Sequence, residues 1–169
     1  MKMTILRGVS GSGKSTYART IDSRPYVGEQ MYQHEYDALL RAHKPPVICS
    51  ADDHFMVDGE YKFDPAQLGE AHRACFVKAD EALAEGRNVV IDNTNTQLWE
   101  ISPYMMLAQK HRAEVRITRL TCPASVACSR NVHGVPEKAI EAMEDRMEAL
   151  PPFWPQELIH STDNPGEED

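Results

Sequence analysis

The sequence has no CxxC pair and no Cys/His spacing of the kind that holds structural zinc, and its apolar runs fall far short of a bilayer span. Its four cysteines, Cys49, Cys75, Cys122 and Cys128, therefore read as buried thiols of a reducing compartment. Positive charge is also scarce. Lys and Arg number 18 against 26 Asp and Glu, a formal net charge of −8, the opposite of the basic surface that grips long duplexes by their phosphates. That balance leaves open a strand end held in a cleft, because Lys110, Arg112, Arg116, Arg119, Arg130 and Lys138 fall in one stretch. Solvated helix and strand faces account for most of them. Internal repeats are absent, and the one biased segment is the acidic tail at 161–169, expected to be disordered. Met1–Arg7 runs straight into a glycine-rich loop with no secretory h-region or cleavage site, so a cytoplasmic protein with no membrane partner is expected.

What is present is an alternation of strand and helix. With 169 residues, 41% hydrophobic and 26% charged, the chain suits one globular domain, expected over residues 1–160. Strands are expected at Met3–Leu6, Val47–Ser50, Asn88–Asp92 and Val115–Leu120, with a last one at Leu158–His160. Helices are expected at Lys14–Ile21 and from Asp64-Pro65 to about Glu85. Three more follow: Gln97–Lys110, interrupted early by Pro103, about Ala124 to His133-Gly134, and Pro136–Leu150. Tyr26–His43 reads helical over Glu35–His43. The pattern gives a single three-layer α/β/α P-loop NTPase domain with a mainly parallel five-stranded sheet.

Gly8-Val9-Ser10-Gly11-Ser12-Gly13-Lys14-Ser15 fits GxxxxGK[ST] in full, between an apolar strand and a helix. Glycines let the backbone wrap phosphate oxygens and aim successive N–H groups inward, and the helix start adds a positive dipole end. Lys14 is expected on the β/γ-phosphates and the Ser15 hydroxyl on Mg²⁺. Gly8, Ser10, Gly11, Ser12, Gly13 and Thr16 complete the expected site for ATP or another nucleoside triphosphate.

Two further strands end in carboxylates at the same edge of the sheet, where ligands bind in open α/β folds. Val47–Ser50 delivers Ala51-Asp52-Asp53. One of these two aspartates can take the proton of an attacking hydroxyl; a turn-capping pair before His54-Phe55 is the competing reading. Val89-Val90-Ile91 delivers Asp92, in the form of a strand whose Asp holds Mg²⁺ directly or through water. Capping of the Gln97 helix suits Thr94 or Asn95 better than Asp92.

At these residues the chain resembles the polynucleotide-kinase-like P-loop kinases, the phage polynucleotide 5′-hydroxyl kinase and especially the kinase domain of the Nedd4-binding-protein-2 type. The matching stretches are Gly8–Thr16, Ser50–Phe55, Tyr61-Lys62-Phe63-Asp64-Pro65 with Leu68 and Ala71-His72, Ile91–Asn95 with Trp99, and Arg130-Asn131 with His133-Gly134-Val135-Pro136. The resemblance implies transfer of the ATP γ-phosphate to a 5′-hydroxyl of DNA or RNA. It implies Asp52 as general base, Ser15 with Mg²⁺, and Arg130 as a lid arginine that neutralises charge on the moving phosphoryl and touches the nucleotide.

Asp53, Phe55, His72, Asn93 and Asn95 become candidates for acceptor binding. The phage enzyme has an arginine where Phe55 stands, and an Asp where Asn93 stands. Base stacking on Phe55, Tyr61 or His54 is the alternative means of recognising an acceptor. His72 reads either as a packed polar contact to the Asp52 loop or as an acceptor contact. Tyr26–His43 is longer than the corresponding link in the relatives, and reads as an added helix near the acceptor entrance or as a plain insertion.

Two other readings stand beside this one. The same chemistry can act on a hydroxymethylated pyrimidine in DNA, a nucleoside or another small alcohol, which the low positive charge and Phe55 favour. Alternatively the chain is a nucleotide-binding interaction module without transferase activity. Oligomeric state cannot be read from the sequence.

Overall fold

Alternation of side chains along the first strand, β1 (Lys2–Arg7), sets the layers of the molecule. Met3 and Ile5 point to one face, fully buried among Cys49, Val89, Ile91 and Ile117 of the neighbouring strands and among two helices. Leu6 points to the other, against Ala18, Val90 and Leu120. Each such aliphatic side chain, once buried, contributes about 1.5–3 kcal/mol. The computed structural model describes residues 1–21, 32, 44–132 and 134–160. The tail at 161–169, all of Tyr26–His43 but Tyr32, and His133 lie outside the described residues.

The sheet is built from β1, β2 (Val47–Cys49), β5 (Val89–Asp92), β6 (Glu114–Thr121) and β7 (Gln156–His160). Its order is β2-β5-β1-β6-β7 and every pairing is parallel. The expected five-stranded α/β architecture is therefore the observed one. A small hairpin, β3 (Met56–Val57) and β4 (Glu60–Tyr61), stands apart from it.

Helix α1 (Lys14–Thr20) covers the Leu6 face. On the other face lie α2 (Leu68–Ala84) and α3 (Leu98–His111). Ala71, Cys75, Ala79 and Leu83 form the buried stripe of α2 at helical spacing, while Leu68 stays exposed. Asp64 accepts from the Ala66 N–H at 2.9 Å, capping a short 3-10 turn that leads into α2. Two short helices, α4 (Ala124–Arg130) and α5 (Glu137–Asp145), pack on Val9 through Ala127 and Ile140. No helix among the described residues is long and apolar enough to cross a membrane.

Three expectations need correcting. Pro103 does not interrupt α3, which runs through it; its ring lies on the exposed side, so the helix forfeits one hydrogen bond and keeps its buried stripe. The cap of α3 is Gln97, in a reciprocal capping box with Glu100, rather than Thr94 or Asn95. Finally, α5 stops at Asp145, well short of Leu150. Beyond it the Glu148 N–H donates to Thr96 O at 2.9 Å and the Glu148 carbonyl accepts from Arg7 at 2.9 Å, contacts that a continuing helix would forbid.

Candidate functional site

Parallel strands in register end at one edge, with Leu6 paired to Asp92 and Cys49 to Ile91. That register delivers Gly8, the turn at Ala51–Phe55, and the segment after Asp92 to a common rim. The Gly8 N–H donates to Thr94 O at 3.0 Å, stitching the first of these to the third. Gly13 opens α1 with φ 90°, a left-handed conformation that a side chain would strain.

At this rim lies a cavity of about 760 Å³. Of the candidates, Ser10, Gly11, Gly13, Lys14, Ser15, Thr16, Asp52, Asp92, Asn93 and Arg130 all line it. Gly8 and Ser12 are buried within the loop and do not line the cavity. The Lys14 ammonium donates to Val9 O at 2.7 Å inside the loop. Burial pushes its pKa down to about 8, against the pull of Asp92 and Asp52. The Asp92 carboxyl is raised above the usual range chiefly by burial, with the neighbouring Ser15 hydroxyl and Lys14 opposing.

These groups suit a nucleoside triphosphate with Mg²⁺. A buried cation and a glycine-lined loop face a space large enough for a nucleotide, and a hydroxyl and a carboxylate adjoin as hard oxygen ligands. No group of three or more His, Cys, Asp or Glu that could hold a metal is found among the described residues. Mg²⁺ needs none, because phosphates and water supply most of its shell.

The acceptor candidates fare differently. Phe55 is 2% exposed and packs with Ala51, Ala71 and Tyr61, so it is a core residue and no stacking surface. Asn95 is 2% exposed, and its side-chain amide donates to Leu6 O at 2.7 Å, a fastening between β1 and the loop after β5. Asn93 reaches the cavity, but its Oδ1 accepts from the Ala51 N–H at 2.9 Å and its amide donates to Cys75 Sγ at 3.4 Å. Asp53 pairs with Lys78 at 2.8 Å and does not line the cavity. His72 is exposed on α2, which removes its packed reading, and it does not line the cavity, so nothing among the described residues brings it to the acceptor either.

Several lining residues escaped the sequence reading. Tyr17, Arg19, Thr20, Asn131 and Val132 border the cavity. Arg19 and Thr20 follow Ser15 and Thr16 by four residues, a spacing that places them on the same helix face. Tyr61 donates to Asp52 Oδ1 at 2.8 Å. From the sequence Tyr61 is a stacking candidate only; the Asp58-Gly59 pair between Met56-Val57 and Glu60-Tyr61 is the hairpin signal that would have brought it beside the Asp52 turn. Arg7 is 1% exposed and gives hydrogen bonds to Asn95 O at 2.8 Å, Thr96 O at 2.9 Å and Glu148 O. Nothing local in the sequence marks those partners.

A family model for AAA domains, AAA_33, matches residues 3–150. The chain belongs to the AAA_33 family. Human NEDD4-binding protein 2 is 37% identical over 147 residues, covering 83% of this chain and 7% of that protein. The chain thus spans about 7% of the length of that curated relative. Among solved structures, Kti12 of Chaetomium thermophilum in complex with ADP-AlF3 aligns with TM-score 0.64 and 14% identity, over 96% of this chain and 91% of that one. A chain of the Pnkp1/Rnl/Hen1 RNA repair complex aligns with TM-score 0.61 and 22% identity, over 86% and 43%. At these identities the likeness concerns the fold: this AAA_33 domain has the α/β architecture of P-loop kinases.

Proposed function

We propose that this domain transfers the γ-phosphate of ATP to a hydroxyl, and that the acceptor is the 5′-hydroxyl of a DNA or RNA strand. One observation carries the transfer step: Asp52 borders the same cavity as Lys14, Ser15, Asp92 and Arg130. A nucleotide switch or binding module has no need of an additional carboxylate from a separate strand.

In the proposed reaction the acceptor oxygen attacks the γ-phosphorus as its proton passes to Asp52. The new O–P bond forms as the bond to the β–γ bridging oxygen breaks, and ADP leaves. Lys14 and Arg130 hold and neutralise the phosphoryl oxygens, which is the larger contribution when the transition state is loose. Ser15 and Asp92 would hold Mg²⁺, which when bound neutralises charge on the β- and γ-phosphates.

The acceptor class draws support from the residues shared with the polynucleotide-kinase-like enzymes, and from the fold likeness to a chain of an RNA repair complex. A small-alcohol acceptor is the second reading, favoured by the net charge of −8 and by the loss of Phe55 as a stacking surface. Labelled ATP with a panel of acceptors separates them. Label on a dephosphorylated oligonucleotide end is the expected result; label only on nucleosides, modified bases or small alcohols would overturn the acceptor assignment.

A further inference from the structure

We infer that Tyr61 is a positioning residue for Asp52, holding one oxygen of the carboxylate so that it meets an acceptor hydroxyl in a single orientation. The inference rests on the reading of Asp52 as the proton acceptor. Its basis is the 2.8 Å hydrogen bond from the Tyr61 hydroxyl to Asp52 Oδ1, and the way the chain brings the two together.

Asp52 sits in the 3-10 turn Ala51–Phe55, whose backbone is already fixed at its start. The Ala51 N–H donates to Asn93 Oδ1, and the Asp52 N–H donates to Ser50 Oγ at 3.2 Å. Fixing the backbone leaves the orientation of the carboxylate to the side chain's own rotations and contacts. Tyr61 supplies one such contact, at Oδ1.

Tyr61 is itself held in place. It lies on β4, opposite Met56 of β3, in a hairpin closed by Asp58 at φ 54° and Gly59 at φ 83°. The Lys62 N–H donates to Phe55 O at 2.8 Å, tying the end of the hairpin to the end of the turn. The Phe55 ring meets Tyr61 edge-on at 6.1 Å and Phe63 at 5.1 Å. Turn and hairpin therefore form one unit around a buried phenylalanine, with the carboxylate and the phenol as its two polar ends. Burial and the bond to Asp52 both raise the Tyr61 pKa, so the phenol remains a donor throughout the working range.

A double-mutant cycle tests this. Tyr61→Phe keeps the ring that packs on Phe55 and removes only the hydroxyl. In the wild-type background, turnover is expected to fall about tenfold with KM for ATP unchanged, the consequence of losing one hydrogen bond to a charged group. In an Asp52→Asn background, Tyr61→Phe is expected to cost nothing further. Wild-type turnover in Tyr61→Phe, or the same loss in both backgrounds, would overturn the inference. Water is also a hydroxyl acceptor, so slow ATP hydrolysis supplies the same cycle should no oligonucleotide be phosphorylated. An Asp52→Asn protein as fast as wild type in both assays would instead overturn the role of Asp52, and this inference with it.

Discussion

Gly11 of the phosphate loop lies directly against Ala127 of α4: a Cβ on Gly11 would stand 1.9 Å from the Ala127 carbonyl oxygen. The loop and the short helix that ends in Arg130 thus touch backbone to backbone, and the position of the loop sets the position of that arginine. Gly11→Ala must push α4 away and also accept φ +80°. A loss of about 2 kcal/mol or more is expected by urea denaturation, with a fall in turnover because Arg130 moves. Unchanged stability and turnover would show that α4 yields freely.

Arg7 holds together the rim that carries Asp92. Its buried guanidinium serves carbonyls of Asn95, Thr96 and Glu148, segments separated from it by up to 141 residues. Arg7→Met leaves the Asn95 and Glu148 carbonyls without this donor, while Thr96 O keeps the Glu148 N–H, for an expected cost of about 2–5 kcal/mol. Arg7→Lys is expected to recover little of this, because one ammonium cannot reproduce the planar fork. Chemical denaturation of the three proteins measures both.

Asn93 fastens the Asp52 turn to the end of β5. Asn93→Ala removes the acceptor of a buried N–H, with an expected cost of about 1–3 kcal/mol. Turnover should fall while nucleotide affinity, read by calorimetry, holds, because Lys14 and Ser15 are untouched.

Asp80 joins α2 to α3 through Lys110 and His111, and these partners hold its carboxyl below the usual range. A carboxylate with a depressed folded-state pKa adds stability above its unfolded value, and loses that contribution as pH falls through the folded one. Asp80→Asn should therefore lower Tm at pH 7, and the gap to wild type should close in strong acid. A gap independent of pH would assign the effect to packing instead. Asp80 is only half-buried and Lys110 is exposed, so the difference at pH 7 is expected to be small.

Much of this arrangement was legible in the sequence because it is local or periodic. The phosphate loop announces itself by spacing, and the apolar run Val89-Val90-Ile91 reads as a strand covered on both faces. Strand ends then bring Asp52 and Asp92 to the same rim as Lys14 without further information. Phe55 was illegible, since an aromatic after a turn reads equally as a stacking surface or as the centre of a small core. The end of α5 was hidden for another reason: Glu148 is claimed by Arg7 and Thr96, and no helical periodicity reports a partner from the far end of the chain. Pro103 misled because, at an exposed position inside α3, the loss of one hydrogen bond does not break the helix.

The most direct measurement is single-turnover transfer from labelled ATP to a dephosphorylated oligonucleotide end, wild type beside Asp52→Asn, with nucleotide affinity measured on both. The expected result is phosphate on the 5′ end with wild type, about 10²–10⁴ slower with Asp52→Asn, at equal affinity for ATP. Equal rates for the two proteins, or ATP binding with no transfer to any hydroxyl, would contradict it.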